Sequence, residues 1–562
     1  MNSGLDDVRP IYTYLMRRGL AMMINNEIEQ VLQKADQQLL GKDYVFVSLG
    51  NPNMKAVVKL LKNSNNLKRD IVKQYDQFKK KAGKYPQWVK IDFVYRTRDI
   101  VFEEVKRDLE ETRRNYIDYG IAYDQNWNLA FMAEEININA FVRPTKDKKK
   151  FFLSEDNINN YLKKYTKHKQ FYKHQDYAGK PITTFYTKGY FIENHEVYEL
   201  GAEGREKGLR KVDNLSREID KMLETSTDHL VNELQPNGKF FYGYFPHFDK
   251  KISFYNNLRH ASSTYALMEG LHYLNKDISV AEKAIDYLKD NYLFEQKGIA
   301  HIFDDTKNIN EIKLGQNAAF IFAVCEYLKI KPDNEKYLEA AQKVAEGILS
   351  MINQETAETI HVLHYPSLEV KEQFRVIYYD GEAALGLLRL YQIDNNEKWL
   401  DTVRSMFDRF IKMNYWKNHD HWLGYCTNEL IQIDPKKEYI EFGIRNVSSY
   451  LDFIKHRITT FPTFLEMLMA TYHIIRKARE KGYGTLVDQL INVDALMETI
   501  HTRADYQRTG YFYPELAMYF KNPKRILGSF FIKHHGYRVR IDDIEHYISG
   551  YVQYQKVFKE NE

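Results

Sequence analysis

One kind of helix start recurs along the second half of this chain, and it constrains the fold more than any other feature. After a short polar loop, charged residues and an aromatic residue lead into an amphipathic helix, at 334–338, 396–400 and 437–440, with a looser copy at 281–285. The copies lie about 40 to 62 residues apart, which leaves room for a pair of helices between them. The repetition predicts an array of helical hairpins that bury their apolar faces against one another.

The two helices of each predicted hairpin differ in their apolar pattern. Helices such as 335–349 and 397–410 have a single apolar stripe, whereas their partners, such as 316–325 and 379–390, are apolar almost all round. A helix of the first kind lies at a surface and one of the second kind is buried, so we expect an outer and an inner ring. The candidate helices lie near 214–233, 257–275, 280–292, 314–329, 334–352, 377–393, 396–413, 421–432, 437–454, 462–481, 485–500, 513–521 and 541–555. The prediction is a mainly α protein with an α/α toroid of about six hairpins over residues 214–555.

Residues 1–210 have a different pattern and are predicted to form a smaller α+β domain. Helical periodicity is present near 8–40, 53–81 and 100–115. Alternating apolar and polar residues at 44–49 and 89–95 predict strands. Two hairpins are predicted, one from 121–123 with 129–132 and one from 182–185 with 190–192.

Composition excludes several classes of function. Of the 562 residues, 44% are hydrophobic and 28% charged, as in a globular protein that is neither disordered nor membrane-embedded. The net charge of +4 is small, and the basic residues are spread along the helices, so we expect no nucleic-acid partner. The first seven residues are acidic and do not resemble a secretory signal, and no apolar stretch is long enough to span a membrane. Cys325 and Cys426 lie in apolar helical runs and are interpreted as reduced core residues of a cytoplasmic protein.

Two concentric rings of helices with aromatic-rich loops resemble the α/α toroid of the six-hairpin glycosidases and of the N-acylglucosamine 2-epimerases. The resemblance covers residues 214–555 and rests on Leu258-Arg259-His260 before an Ala-rich helix, on 378–385 with 388–391, and on the repeated helix start. It implies a carbohydrate substrate. Lanthionine cyclases and prenyltransferases share such toroids, although the zinc ligands of the cyclases, two Cys and a His, are not evident here. No family is recognised for the N-terminal domain.

In a toroid, the loops that lead into the inner helices face one central cavity, so their side chains are candidates for a site. The predicted catalytic residues are Asp380, His260, His421 and Glu466. The predicted substrate-binding residues are Arg259, Tyr379, Gln316, Asn317, Trp422, Tyr511 and Arg457.

Two kinds of chemistry fit these residues. Glycoside cleavage needs two carboxylic acids, for which the candidates are Asp380, Glu382, Asp420, Glu466 and Glu515. Epimerisation next to a carbonyl needs a His pair or a His–Tyr pair, with an Arg to neutralise the enolate. His260, His421, Arg259 and Tyr379 are the candidates for that reaction.

Asp380 and Glu382 are two residues apart at a helix start, so they diverge by about 200° and cannot both face one substrate. We favour Asp380. His419-Asp420-His421 lacks the spacing of a helical ligand pair and has no clear third ligand, so no metal and no other cofactor are predicted.

Two functions therefore remain open. The first is a carbohydrate-active enzyme, a glycoside hydrolase, lyase or epimerase that cleaves or isomerises an acidic or amino-sugar-containing glycan. The second is a non-catalytic accessory protein of cell-envelope polysaccharide synthesis that binds a glycan or a protein. An enzyme needs at least two ionisable groups converging on one pocket, which a binding protein does not need. The sequence leaves the oligomeric state open and predicts no membrane insertion.

Overall fold

A computed structural model describes residues 24–35, 43–112 and 114–559. The helix predicted near 8–40 is described only in part, as helix α1 over 24–34, and the remainder of that prediction lies outside the described residues. Nine strands follow in the first part of the chain, namely β1 (Tyr44–Asn51), β2 (Met54–Lys62), β3 (Trp88–Val101), β4 (Gly120–Ala122), β5 (Ala130–Phe131), β6 (Val142–Pro144), β7 (Phe151–Leu153), β8 (Pro181–Glu193) and β9 (Glu196–Glu199). Seven of them form an antiparallel sheet in the order β2-β1-β3-β8-β4-β5, with β9 beside β8, while β6 and β7 pair with each other.

Four more helices belong to this part of the chain. They are α2 (Leu67–Ala82), α3 (Phe102–Glu111), α4 (Ala133–Ile138) and α5 (Glu155–Tyr165). Helix α2 buries Leu67, Ile71, Tyr75 and Phe78, which recur every three or four residues and therefore share one face. The predicted α+β character of this part of the chain is confirmed.

Two details of the sheet differ from the sequence-based prediction. Residues 54–62 form strand β2 and not the start of a helix, because they pair with β1 along its length, with Val47 opposite Lys59. The predicted hairpin at 182–192 is a single strand, β8, since Thr187, Lys188 and Gly189 continue its ladder with β3. The polar residues that were interpreted as a turn lie within a paired strand.

The helices of the second part are, in chain order, α6 (Leu215–Glu233), α7 (Asn257–Tyr273), α8 (Ser279–Tyr292), α9 (Leu314–Ile330), α10 (Glu335–Ser350), α11 (Tyr379–Asp394), α12 (Glu397–Lys412), α13 (His421–Ile433), α14 (Lys437–Ser448), α15 (Leu451–His456), α16 (Thr463–Glu480), α17 (Gly484–Leu490), α18 (Val493–Tyr506), α19 (Pro514–Ala517), α20 (Pro523–Ile526) and α21 (Ile541–Phe558). Short strands in the loops form a three-stranded sheet, from β10 (Gly243–Phe245), β11 (Lys250–Lys251) and β17 (Val539–Arg540). A five-stranded sheet contains β12 (Leu293–Gln296), β13 (Ile299–Asp304), β14 (Glu311–Lys313), β15 (Val362–His364) and β16 (Val370–Glu372).

Twelve of these helices form six hairpins in two rings, which confirms the predicted toroid. The inner ring is α7, α9, α11, α13, α16 and α21, and the outer ring is α6, α8, α10, α12, α14 and α18. Inner helix α9 is buried on nearly every face from Leu314 to Leu328, whereas outer helix α12 buries one stripe that includes Trp399 and Phe407. None of the helices in the described ranges has both the length and the apolarity needed to cross a bilayer.

The inner ring is closed, because its last helix packs against its first. Ser262 of α7 donates a hydrogen bond of 2.5 Å to Glu545 of α21, and Gln553 of α21 donates one of 3.3 Å to Glu269 of α7. The starts of other neighbouring inner helices also lie against each other, Gly315 beside Glu382 and Glu466 beside His546, so the inner helices begin at the same end of the toroid.

The sheet domain is held to the toroid near that end. Arg210 donates two hydrogen bonds to the Glu515 carboxylate, at 2.9 and 2.5 Å, and both side chains are buried. The backbone amide of Ala56 donates to the carbonyl of Met518 at 2.7 Å, and the hydroxyls of Ser48 and Tyr519 are also 2.7 Å apart. The sheet domain thus contacts the segment that leads into α21.

Candidate active site

Three side chains from three inner helices meet at the centre of the ring. His421 is the first residue of α13, Glu466 lies in the first turn of α16, and His546 lies in the second turn of α21. Nδ1 of His546 is 2.9 Å from Oε2 of Glu466, and the rings of His421 and His546 are 5.2 Å apart between centroids and nearly perpendicular. The structure thus brings together two imidazoles and the carboxylate that orients one of them.

The surroundings shift the pKa values of the two imidazoles in opposite directions. Burial lowers the pKa of His546, but the charges of Glu466 and Glu545 and the hydrogen bond to Glu466 outweigh this and raise the pKa to about 9. Burial, and then the charge of His546, hold the pKa of His421 well below its ordinary value. At neutral pH the pair therefore consists of an imidazolium, His546, and a neutral imidazole, His421. Such a divergence is typical of a pair in which one group can act as an acid and the other as a base.

Buried carboxyl oxygens surround the two imidazoles. Oε2 of Glu382, Oδ2 of Asp420 and Oε1 of Glu545 accept no hydrogen bond from the described part of the protein. Burial raises the pKa of Glu545 to about 7, and burial followed by the charges of Asp420 and Glu545 raises that of Glu382 well above its usual range. Because buried polar atoms are normally hydrogen-bonded, these oxygens are suited to partners on a ligand.

A glycine makes room for one of these carboxyl groups. Gly315, in the first turn of α9, packs so closely against Glu382 that a Cβ at this position would overlap Oε2 of that side chain and approach the ring of Tyr379 to 2.6 Å. A residue with a side chain would thus displace Glu382. Gly315 therefore leaves the space that the Glu382 carboxyl group occupies beside α9.

Aromatic rings and paired charges form the rim of the site. The ring of Tyr378 is 41% exposed and 5.8 Å from that of His421, and the buried ring of Trp422 is 6.1 Å from that of His546. Arg259 forms an ion pair with Asp542. His546 itself is 20% exposed, so solvent reaches the imidazole pair from this side.

Of the four predicted catalytic residues, the structure groups His421 with Glu466 and places Asp380 and His260 elsewhere. Oδ1 of Asp380 accepts hydrogen bonds from Thr359 and His361, in the loop before α11. Asp380 and Glu382 diverge as expected, but it is Glu382 that faces the ring centre. Both ring nitrogens of His260 are engaged, Nδ1 with the Tyr255 hydroxyl at 2.6 Å and Nε2 with the Ala284 carbonyl at 2.8 Å.

Among the predicted binding residues, Arg259, Tyr379 and Trp422 lie around the central group, as described above. Asn317 accepts from the Ile302 amide at 2.7 Å and donates to the Lys313 carbonyl at 2.8 Å, so it holds the loops before α9 together.

The remaining predicted binding residues lie at three different places. Gln316 donates to the Phe303 carbonyl at 2.9 Å. The Tyr511 hydroxyl is 2.7 Å from that of Thr225, at the junction with the sheet domain. Arg457 donates to Thr459 at 2.8 Å, on the loop before α16.

Sequence reasoning missed His546 and Glu545. The loop at 511–515, which contains the candidates Tyr511 and Glu515, leads into the four-residue helix α19 and not into an inner helix, and Glu515 is bonded to Arg210. The signal was present in Asp542-Asp543-Ile544-Glu545-His546, an acidic helix start followed at once by a histidine.

His421, Glu466 and His546 also have the composition of a metal site. One ligand atom from each lies within 4.8 Å of the others. A cation there would replace the proton on His546 and its hydrogen bond to Glu466, because a histidine binds metal through a deprotonated nitrogen. In the absence of a cation, the raised pKa of His546 keeps that nitrogen protonated at neutral pH.

No family model matches the sequence, and no curated protein matches it significantly. Solved structures of similar shape include cellobiose 2-epimerase from Bacillus thermoamylovorans B4167, with 12% identity, a TM-score of 0.47 and coverage of 62% of this chain and 100% of the other. A D-mannose isomerase has 10% identity and a TM-score of 0.46 over 62% and 100%. The GH76 α-mannanase of Bacteroides thetaiotaomicron has 14% identity and a TM-score of 0.43 over 62% and 98%. At these values the likeness carries no information on substrate, which has to come from the residues of this chain.

Proposed function

We propose that this protein is a carbohydrate-active enzyme, an epimerase or isomerase that moves a proton on a sugar carbon next to a carbonyl group. The observation that carries the proposal is the facing pair of imidazoles with opposed pKa shifts, His421 lowered and His546 raised to about 9. Proton transfer at carbon needs a neutral base and a protonated acid on one substrate, and this pair supplies both at neutral pH.

In the proposed reaction, His421 removes the proton from C2 of an open-chain aldose. Its Nδ1 lies 3.7 Å from the Asp420 carboxylate and its Nε2 has no hydrogen-bond partner among the described residues, so Nε2 is the atom assigned to the base. The imidazolium of His546 gives a proton to the resulting enediolate, at C2 for epimerisation. For isomerisation the same proton goes to C1, and the proton of the C2 hydroxyl moves to O1. The proton then returns from His421 to His546, which restores the pair.

The carboxyl oxygens around the imidazoles support a polyol substrate. Glu382, Asp420 and Glu545 each present a buried oxygen without a partner in the described part of the protein, and a sugar hydroxyl, which both donates and accepts, can satisfy such an atom in either protonation state. The cationic side chains nearby are already paired, Arg259 with Asp542 and Arg540 with Asp543. Because these cations are already neutralised by carboxylates, we favour an uncharged aldose as the substrate. The acidic or amino sugar expected from the sequence stays a prediction.

Proton exchange in D₂O is the direct test. The purified protein is incubated with mannose, glucose, cellobiose, N-acetylglucosamine and glucuronate, and deuterium at C2 and new sugars are followed by NMR. We expect deuterium incorporation and a C2 epimer or a ketose from at least one uncharged sugar. Release of monosaccharides from an oligosaccharide without exchange at C2 would instead identify a hydrolase that uses the carboxyl groups.

Three matched His→Gln variants distinguish the loss of a catalytic group from a general effect of the substitution on the fold. His421→Gln and His546→Gln remove the proposed base and acid, and we expect each to reduce exchange by a factor of about 100 or more. His272→Gln is the control, since His272 is exposed and lies in the last turn of α7, at the far end of an inner helix. If folded wild-type protein exchanges no sugar while binding one, the protein is the non-catalytic glycan-binding alternative.

A further inference from the structure

A cavity lies between the sheet domain and the toroid, apart from the imidazole pair. Its volume is about 310 Å³, within the range of pockets for small molecules. The sheet domain contributes Glu134 and the loop with Lys207, and the toroid contributes Tyr506 and Lys533, among other residues. The cavity is therefore formed only when the two parts are together.

Most cations around this cavity have partners within the protein. Lys90 pairs with Asp92 at 3.1 Å and with Glu134 at 2.8 Å. Arg508 pairs with Asp505 at 2.8 Å. These groups are neutralised locally and contribute little net charge to the cavity.

Lys207 and Lys533 differ from the other cations, since neither forms an ion pair or a side-chain hydrogen bond with any residue of the described ranges. Each ammonium lies instead over a tyrosine ring, Lys207 4.9 Å from the centroid of Tyr186 and Lys533 4.2 Å from that of Tyr116. Burial lowers the pKa of both lysines, with only partial compensation by more distant carboxylates such as Glu134. Two half-buried ammonium groups with six unused donors face one cavity.

We propose that this cavity binds a small molecule with a phosphoryl group, and that Lys207 and Lys533 are its ligands. A lysine binds phosphate as a compact charge with freely rotating donors, which suits two side chains that approach from different domains. The rings of Tyr116, Tyr506 and Tyr537 line the same cavity and provide flat apolar surfaces for the rest of the molecule. The inference does not depend on the proposed sugar chemistry.

Calorimetric titration of the full chain tests the proposal, with inorganic phosphate, glucose 6-phosphate and glucose as probes. We expect phosphate and glucose 6-phosphate to bind and glucose not to bind at this cavity. Tighter binding of glucose 6-phosphate would assign the tyrosine surfaces to the organic part, and equal binding would assign the cavity to free phosphate. If neither phosphate compound binds, the proposal is wrong.

Lysine variants locate the binding site. Lys207→Met and Lys533→Met should each weaken phosphate binding at least tenfold, while Lys336→Met, on an exposed face of outer helix α10, should leave it unchanged. We also expect the two cavity variants to keep or raise the melting temperature, because each removes an unpaired buried charge. Unchanged phosphate binding in both cavity variants would overturn the assignment, and so would a lowered melting temperature with unchanged affinity.

Discussion

Replacement of Glu466 by Gln tests the reasoning about the imidazole pair. The change removes the negative charge next to His546 but keeps an oxygen that can accept from Nδ1, at present 2.9 Å away. Since the charge of Glu466 is the largest of the effects that raise the pKa of His546 to about 9, we expect that pKa to fall to about 6.5 or below. The variant should therefore lose the acid at alkaline pH and keep it at acidic pH.

The size of the effect follows from the two pKa values. At pH 8, roughly 90% of His546 is protonated when its pKa is about 9, and only about 3% when its pKa is 6.5, a loss of about 30-fold. At pH 6 the same comparison gives a loss of only about 1.3-fold. If only protonation of His546 changes, the loss of exchange rate in the variant relative to the wild type thus grows by a factor of about 20 between pH 6 and pH 8.

The measurement is the rate of deuterium exchange at C2 from pH 5.5 to 10, for the wild type and for Glu466→Gln. In the plot of exchange rate against pH, the alkaline decrease should occur about two pH units or more lower in the variant than in the wild type. Circular dichroism and thermal melts at each pH show whether the variant is folded. A loss of equal size at pH 6 and pH 8, in folded protein, would show that Glu466 positions His546 and does not control its proton, and the reasoning would be refuted.

Three further predictions concern stability. Gly315→Ala should displace the Glu382 carboxyl group and cost about 1–3 kcal/mol in chemical denaturation, with a loss of exchange activity; wild-type values for both would contradict the packing described. Arg210→Met leaves the Glu515 carboxylate buried without its partner and should cost about 3–5 kcal/mol, most of it recovered when Glu515 is also replaced by Leu. A pKa raised from 6.5 to about 9 means that His546 contributes about 3 kcal/mol below pH 6.5, which is lost as the pH rises through about 9. The difference in unfolding free energy between the wild type and His546→Gln should shrink over that interval, and a constant difference would argue against the shift.

The toroid could be predicted from the sequence because buried and partly exposed helices have different periodic patterns of apolar residues. A helix such as α9, apolar on every face, and one such as α12, with a single stripe, differ in the order of their apolar and polar residues. The first turns of five of the six inner helices could therefore be located within a few residues, and His421 and Glu466 were found in this way.

No such sequence pattern shows in which direction a side chain in the first turn of a helix points. Asp380 and Glu382 are both acidic, both buried and two residues apart, and the choice between them depends on the position of Gly315 on the neighbouring helix. His260 has the residue type of a catalytic group, but Tyr255 and the Ala284 carbonyl occupy both of its nitrogens. His546 was missed because the sequence did not show that the helix predicted near 541–555, which is α21, belongs to the inner ring.

The closure of the inner ring has a consequence for how the protein is made. The hydrogen bond between Ser262 and Glu545 joins residues 283 positions apart, so helix α7 leaves the ribosome long before the helix that covers it. Until α21 is synthesised, the apolar faces of α7 and α16 lack their neighbour, and nascent chains of this kind are prone to aggregation. The same helix supplies His546. Ring closure and assembly of the imidazole pair thus occur in one step of biosynthesis, and an interrupted translation product of this chain has neither a complete core nor a competent site.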